Sequence, residues 1–156
     1  MLRRFESGDV LTVPVGEGRK AVAQVVEKMR GMVLLAVFPE LYDADAALDV
    51  GTLGLDEPIF LVETMDQRLK KGEWPVIGNR EVSPGIRVPV YKVWVEPPGE
   101  FRTQDIHGNV GDTITAARAE ELKRPTSFTN TAVEEAIRGM HGLAPWYEAF
   151  EKMVYP

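Results

Sequence analysis

Apolar positions in the first third of the chain come in short runs separated by turn residues. Val10, Thr12, Val13 and Val15 follow Gly8-Asp9, and Gly16-Glu17-Gly18 separates them from a second run, Ala21 to Val26. Lys28-Met29-Arg30-Gly31 reads as the next turn, and Met32 to Phe38 as a strand closed by Pro39. Strands joined by turns this short predict an antiparallel meander, because parallel neighbours need a long crossover.

The middle is less regular. Leu41 to Leu48 reads as a helical turn or a loop, and Gly51, Gly54 and Pro58 discourage anything long. Ile59 to Thr64 and Trp74 to Ile77 read as strands, with Asp66 to Gly72 turning between them. Val88 to Val95 is a further strand, its Pro89 placed near the start or on an edge, and Pro97-Pro98-Gly99 ends it. Phe101 to Ile106 and Val110 to Ile114 flank Gly108-Asn109 as a hairpin.

The period then changes from two to 3.6. Ala116 to Lys123 is a short helix preceded by Thr115. Thr131 and Glu134 match a capping box, and Val133, Ala136, Ile137 and Met140 form one apolar stripe behind it. His141-Gly142 ends that helix, and Pro145 opens a last one carrying Trp146, Ala149, Phe150 and Met153. The expected class is α+β: an antiparallel sheet or small open β-barrel with two or three C-terminal helices on it. It forms one domain over residues 1–156, β-rich over 1–114 and helical over 115–156. Trp74, Trp94 and Trp146 are all expected in the core.

Composition narrows the classes. Among 156 residues, 44% are hydrophobic and 27% charged, an ordinary globular balance. With no cysteine, disulfides, thiolate metal sites and cysteine nucleophiles are excluded. The longest apolar run, Met32 to Phe38, is far short of the roughly 20 residues of a spanning helix. The early charges Arg3, Arg4 and Glu6 occupy the place of a signal peptide's apolar core, so a soluble cytoplasmic protein with no membrane partner is expected.

Catalytic chemistry has little to stand on. His107 with Asp105, and Arg102 nearby, could share one strand face as an acid–base pair, the basis of an alternative reading as a small hydrolase or nuclease. Hairpin tips carry such residues for backbone reasons, and this is the favoured reading. His141 is accounted for by helix-end electrostatics. No spacing resembles a metal site, and Gly16-Glu17-Gly18-Arg19-Lys20 lacks the pattern of a phosphate loop, so neither metal nor cofactor is expected.

Charge says more. The net charge is −6, which disfavours nucleic acid and favours a basic partner. From Glu40 to Asp66 stand eight acidic residues (Glu40, Asp43, Asp45, Asp49, Asp56, Glu57, Glu63, Asp66) and no lysine or arginine. This is either a solvated loop or a surface that attracts a basic protein.

Three stretches in order are similar to the immunity protein 26 family: Gly8-Asp9-Val10 with Gly18-Arg19 to Val26, then Trp74-Pro75-Val76-Ile77-Gly78, then Val133-Glu134-Glu135-Ala136-Ile137 to His141-Gly142 with Trp146. The acidic stretch from Tyr42 to Asp56 departs from that pattern. The resemblance implies a bacterial protein, without catalysis, cofactor or metal, that binds the toxin domain of a secreted polymorphic toxin and protects the producing cell. A nuclease toxin with a basic cleft would suit an acidic inhibitor. On that reading the partner-binding residues are Asp43, Asp45, Asp49, Asp56 and Glu57.

Overall fold

The computed structural model describes residues 2–156. In chain order the elements are β1 (Asp9–Gly16), β2 (Arg19–Lys28), β3 (Met32–Asp43), β4 (Phe60–Met65), α1 (Gln67–Lys70), β5 (Val76–Asn79), β6 (Tyr91–Val95), β7 (Glu100–Gln104), β8 (Val110–Thr113), α2 (Ala116–Glu121), β9 (Ser127–Phe128) and α3 (Asn130–Met140). Two 3₁₀ turns, Val50–Thr52 and Glu148–Met153, complete them. Two compact units result. The larger ends at Ile86 and resumes over Ser127–Pro156, and the smaller is Arg87–Thr126.

The larger unit holds an open six-stranded sheet in the order β5-β1-β2-β3-β4-β9. The expected meander is there, since β1, β2, β3 and β4 pair antiparallel in turn. Non-local strands extend it at both ends. β5 joins β1 antiparallel, and the two-residue β9 runs parallel to β4, pairing Ser127 with Glu63 and Phe128 with Thr64. The α+β class therefore holds, as an open mixed sheet and not a barrel.

Leu11, Val13, Ala21, Ala23, Val25, Val33, Leu35 and Val37 alternate onto one face of this sheet, where Val133, Ala136 and Ile137 of α3 and Phe150 and Met153 of the second 3₁₀ turn cover them. The intervening Val10, Val22, Leu34, Ala36 and Phe38 are buried as well. Central strands buried on both sides read as unbroken apolar runs, which explains the lack of alternation from Met32 to Phe38. Leu53 and Leu55 from the segment between β3 and β4 are buried too.

The two N-terminal segments that resembled a known family meet in this sheet. Asp9, Val10 and Leu11 pair with Asn79, Gly78 and Val76. Asp9 locks the join, its carboxylate accepting from the Glu6 N–H at 2.9 Å and from Asn79 Nδ2 at 3.0 Å. Gly8 has φ +91°, and a Cβ there would lie 2.8 Å from the Arg80 carbonyl oxygen, so no other residue fits without a shift.

Several expectations are corrected. Pro39 does not close β3, which runs on to Asp43. The partners Ala23–Val37 and Ala21–Leu41 leave three residues of β3 opposite one of β2. Proline is tolerated because it sits in that bulge, beyond the last pairing with β4 at Val37. The turn expected from Asp66 to Gly72 contains α1.

The N-cap of helix α3 lies two residues before the expected one, Thr131. Thr129 is its N-cap and accepts from the Ala132 N–H at 3.1 Å. Asn130 ties that start to β4, its Nδ2 donating to Thr64 Oγ1 at 3.0 Å and the Met65 carbonyl at 2.8 Å. Thr131 and Glu134 instead hold Arg68, at 3.3 and 3.2 Å. Met140 leaves the buried stripe and is exposed. The last helix is a 3₁₀ turn that begins at Glu148, so Trp146 precedes it, stacking on Phe60 and meeting Phe150 edge to face.

The smaller unit is an antiparallel three-stranded sheet, β6-β7-β8, with α2 capped by Thr115 and joined to β6 through Lys92 Nζ and the Ala119 carbonyl at 2.7 Å. Ala119 is the one residue of this unit that is buried. Trp94 is 48% exposed, against expectation, whereas Trp74 is fully buried. Trp94 meets Phe101 edge to face, and its Nε1 donates to Glu96 Oε1 at 3.0 Å.

Candidate functional site

The bulge in β3 shapes the most acidic part of the surface. It turns Pro39 and Glu40 outward, both exposed, while Val37 and Phe38 stay buried. Two residues on, the Tyr42 hydroxyl donates to Glu40 Oε2 at 2.9 Å. Burial pushes the Tyr42 phenol up from its ordinary value, and the adjoining Glu40 carboxylate pushes it the same way.

The acidic segment then leaves the sheet and returns to it. The Ala44 N–H donates to the Gly18 carbonyl at 2.7 Å, and the Ile59 N–H brings the chain back to the Val37 carbonyl at 2.7 Å. Between these points the segment is tied down by cations from elsewhere. Lys20 Nζ donates to the Ala46 carbonyl at 2.7 Å. Arg80 Nη1 reaches the carbonyls of Val50 and Leu53 at 3.1 and 2.7 Å. The Arg80 carbonyl in turn accepts from the buried Gln24 Nε2 at 2.7 Å. Charge-assisted bonds of this kind fix the loop against the sheet.

The five acidic residues expected to bind a partner divide accordingly. Asp43 ends β3 opposite Arg19, at 3.8 Å, with its side chain 75% exposed. Asp45 is exposed in the turn that follows. Asp49 caps the first 3₁₀ turn, its Oδ1 accepting from the Gly51 N–H at 3.0 Å. Asp56 and Glu57 lie on the returning limb and line a cleft of about 320 Å³ together with Glu40 and Tyr42. Val22, Phe38 and Leu55 form its apolar floor. The structure thus brings Asp56 and Glu57 together and leaves Asp43, Asp45 and Asp49 outside that cleft. It adds Glu40 and Tyr42, whose i, i+2 spacing on an extended β3 would have placed them on one face had the strand not been expected to stop at Pro39.

A second cleft, about 520 Å³, opens on the other flank of Pro39 and Glu40 and is lined by Glu17, Arg19, Leu41, His141 and Leu143. Burial holds the His141 imidazole below its ordinary value. A hydrogen bond to the Pro39 carbonyl opposes that shift, and the nearby Arg19 charge adds to it.

The alternative pair behaves as turn chemistry. Asp105 Oδ1 accepts from the backbone N–H groups of His107 and Asn109, both at 2.9 Å, and Oδ2 accepts from Asn109 Nδ2 at 3.0 Å. These bonds, the Asn109 side chain's foremost, hold the Asp105 carboxyl below its ordinary range. Arg102 pairs with Glu100 on its own strand at 2.7 Å. Asp105 therefore holds the His107 main chain, and the His107 charge adds a smaller lowering of its carboxyl. Among the described residues no group of three or more His, Asp or Glu could hold a metal ion.

Comparison with known proteins bears on this surface. A family model described as Immunity protein 26 matches residues 6–96, which include β1 to β6 and the whole acidic segment. The C-terminal stretch of the resemblance, Val133 to Trp146, lies outside the matched residues. No curated protein and no solved structure matches the chain.

Proposed function

The chain belongs to the immunity protein 26 family, and from that premise we propose that it binds a cognate secreted bacterial toxin domain in the cytoplasm of the producing cell and neutralises it without catalysis of its own. The family match over residues 6–96 carries this reading. The surface fits it: Asp43, Asp45, Asp56 and Glu57 are exposed, and Asp49 is exposed beside the turn it caps. Such a surface speeds encounter with a basic domain, such as a nuclease with a positively charged substrate cleft.

Co-expression with the toxin domain encoded beside its gene tests the proposal. Restored growth together with a stoichiometric complex after purification is the expected result. Undiminished toxicity and no complex would overturn it.

A further inference from the structure

We propose that the apolar cleft beside the β3 bulge is an anchor pocket for a single arginine side chain of the toxin domain, with Glu40, Asp56 and Glu57 receiving its guanidinium. The inference rests on the immunity reading and names the contact that reading lacks.

The cleft, at about 320 Å³, stands at the small end of the roughly 300–1,000 Å³ typical of binding pockets. It suits one long side chain better than a helix or strand. Its floor of Val22, Phe38 and Leu55 is apolar, so it can cover the methylenes of a long side chain while the head stays at the rim. No lysine or arginine lines it, so its three carboxylates have no counter-ion among the lining residues. The complement of an apolar floor with an anionic rim is a side chain with an apolar stem and a cationic head.

Arginine fits better than lysine for two reasons. Its planar fork bonds two carboxylates or one bidentately, and it stacks on aromatic rings such as that of Tyr42. The Tyr42 hydroxyl already orients one oxygen of Glu40, at 2.9 Å. A carboxylate has about four lone-pair sites, so that bond leaves Glu40 able to accept more. A second copy of this chain is a poorer occupant, because each copy carries −6 and like-charged surfaces repel.

Two charge-matched triples and one plug test this. The cleft triple is Glu40→Gln, Asp56→Asn and Glu57→Gln. The control triple, Asp43→Asn, Asp45→Asn and Asp49→Asn, removes the same charge outside the cleft and keeps an asparagine able to cap the 3₁₀ turn. The plug is Gly54→Leu. Gly54 lines the cleft, has open space where a Cβ would stand and has no left-handed φ, so the added side chain fills space without strain or loss of charge.

Titration calorimetry with the toxin domain, at about 150 mM salt, should show the cleft triple and the plug each weakening binding by about thirtyfold or more, as an interface hot spot does. The control triple should cost no more than about threefold, and Glu40→Gln alone about tenfold. Equal losses in both triples, or none in the cleft triple, would overturn the anchor while leaving the immunity reading intact. If the wild-type chain does not bind the toxin domain, the immunity reading fails and the cleft is judged separately. N-acetyl-arginine amide should then shift the backbone amide resonances of Glu40, Tyr42, Asp56 and Glu57, where the uncharged citrulline analogue does not. Identical or absent shifts with the two compounds would sink the pocket on its own terms.

Discussion

Asp105 and His107 have the residue types of an acid–base pair, yet the carboxylate accepts three hydrogen bonds inside one turn. An Asx turn explains them, because a short acidic side chain can take the place of a backbone carbonyl. Asp105→Ala should raise hydrogen exchange at the His107 and Asn109 amides and leave toxin binding unchanged; unaltered exchange would contradict this account. His141 gives a residue-scale prediction with a sign. Its folded-state value lies below the ordinary 6.5, chiefly through burial. The unfolded chain therefore takes up the proton more readily, and stability is complete above about pH 6.5 and declines as pH falls through the folded-state value. Glu100 and Asp105, also lowered, start to matter only below their ordinary 4.5 and 3.8. Comparing denaturation midpoints at about pH 7 and about pH 5, wild type should lose stability and His141→Gln should lose less. Legibility at this scale is uneven. Trp74 and Trp94 sit in similar apolar runs, and only the assembled sheets show that one is roofed over and the other 48% exposed.

Start and stop signals were readable wherever one local cause decides them. Gly16-Glu17-Gly18, with all three residues at positive φ, could only be a turn, and Thr115 does cap α2. Helix α3 shows the opposite case. Thr131 and Glu134 satisfy the capping-box pattern, but the β4–β9 pairing and the anchoring of Asn130 on Thr64 and Met65 fix the chain direction two residues earlier. A contact between residues so far apart in sequence overrides a local motif. Thr129→Ala should therefore destabilise the protein by about 0.5–2 kcal/mol, the usual cost of a lost N-cap. Thr131→Ala removes only one exposed 3.3 Å bond to Arg68 and should stay within about 0.5 kcal/mol. Urea denaturation decides the matter, and the reverse order would restore the capping box. Pro39 misled for a related reason: proline ends a strand only where the ladder needs its N–H, and a bulge does not.

At the scale of the whole molecule the charge is segregated. The smaller unit balances Arg87, Lys92, Arg102, Arg118, Lys123 and Arg124 against Glu96, Glu100, Asp105, Asp112, Glu120 and Glu121. The entire −6 therefore belongs to the larger unit. The sign and the acidic run from Glu40 to Asp66 were legible, but the neutral unit was not, because the boundary at Arg87 follows from non-local strand pairing, as do the places of β5 and β9. The meander and the α+β class were legible because they rest on short turns and on a change of period.

Segregation also separates the kinetic roles of the acidic residues. Exposed charges act at a distance, raise the encounter rate and are screened over a Debye length of about 8 Å at physiological salt. A charge that closes on a partner's side chain acts after encounter and governs escape. The control triple at Asp43, Asp45 and Asp49 should thus slow association severalfold at low salt, converge on wild type as salt rises, and leave dissociation unchanged. The cleft triple at Glu40, Asp56 and Glu57 should speed dissociation at every salt concentration. Stopped-flow or surface-plasmon kinetics across a salt series separates the two. If both triples alter only the association rate, the acidic surface steers the toxin domain without holding it, and the anchor must lie elsewhere on the chain.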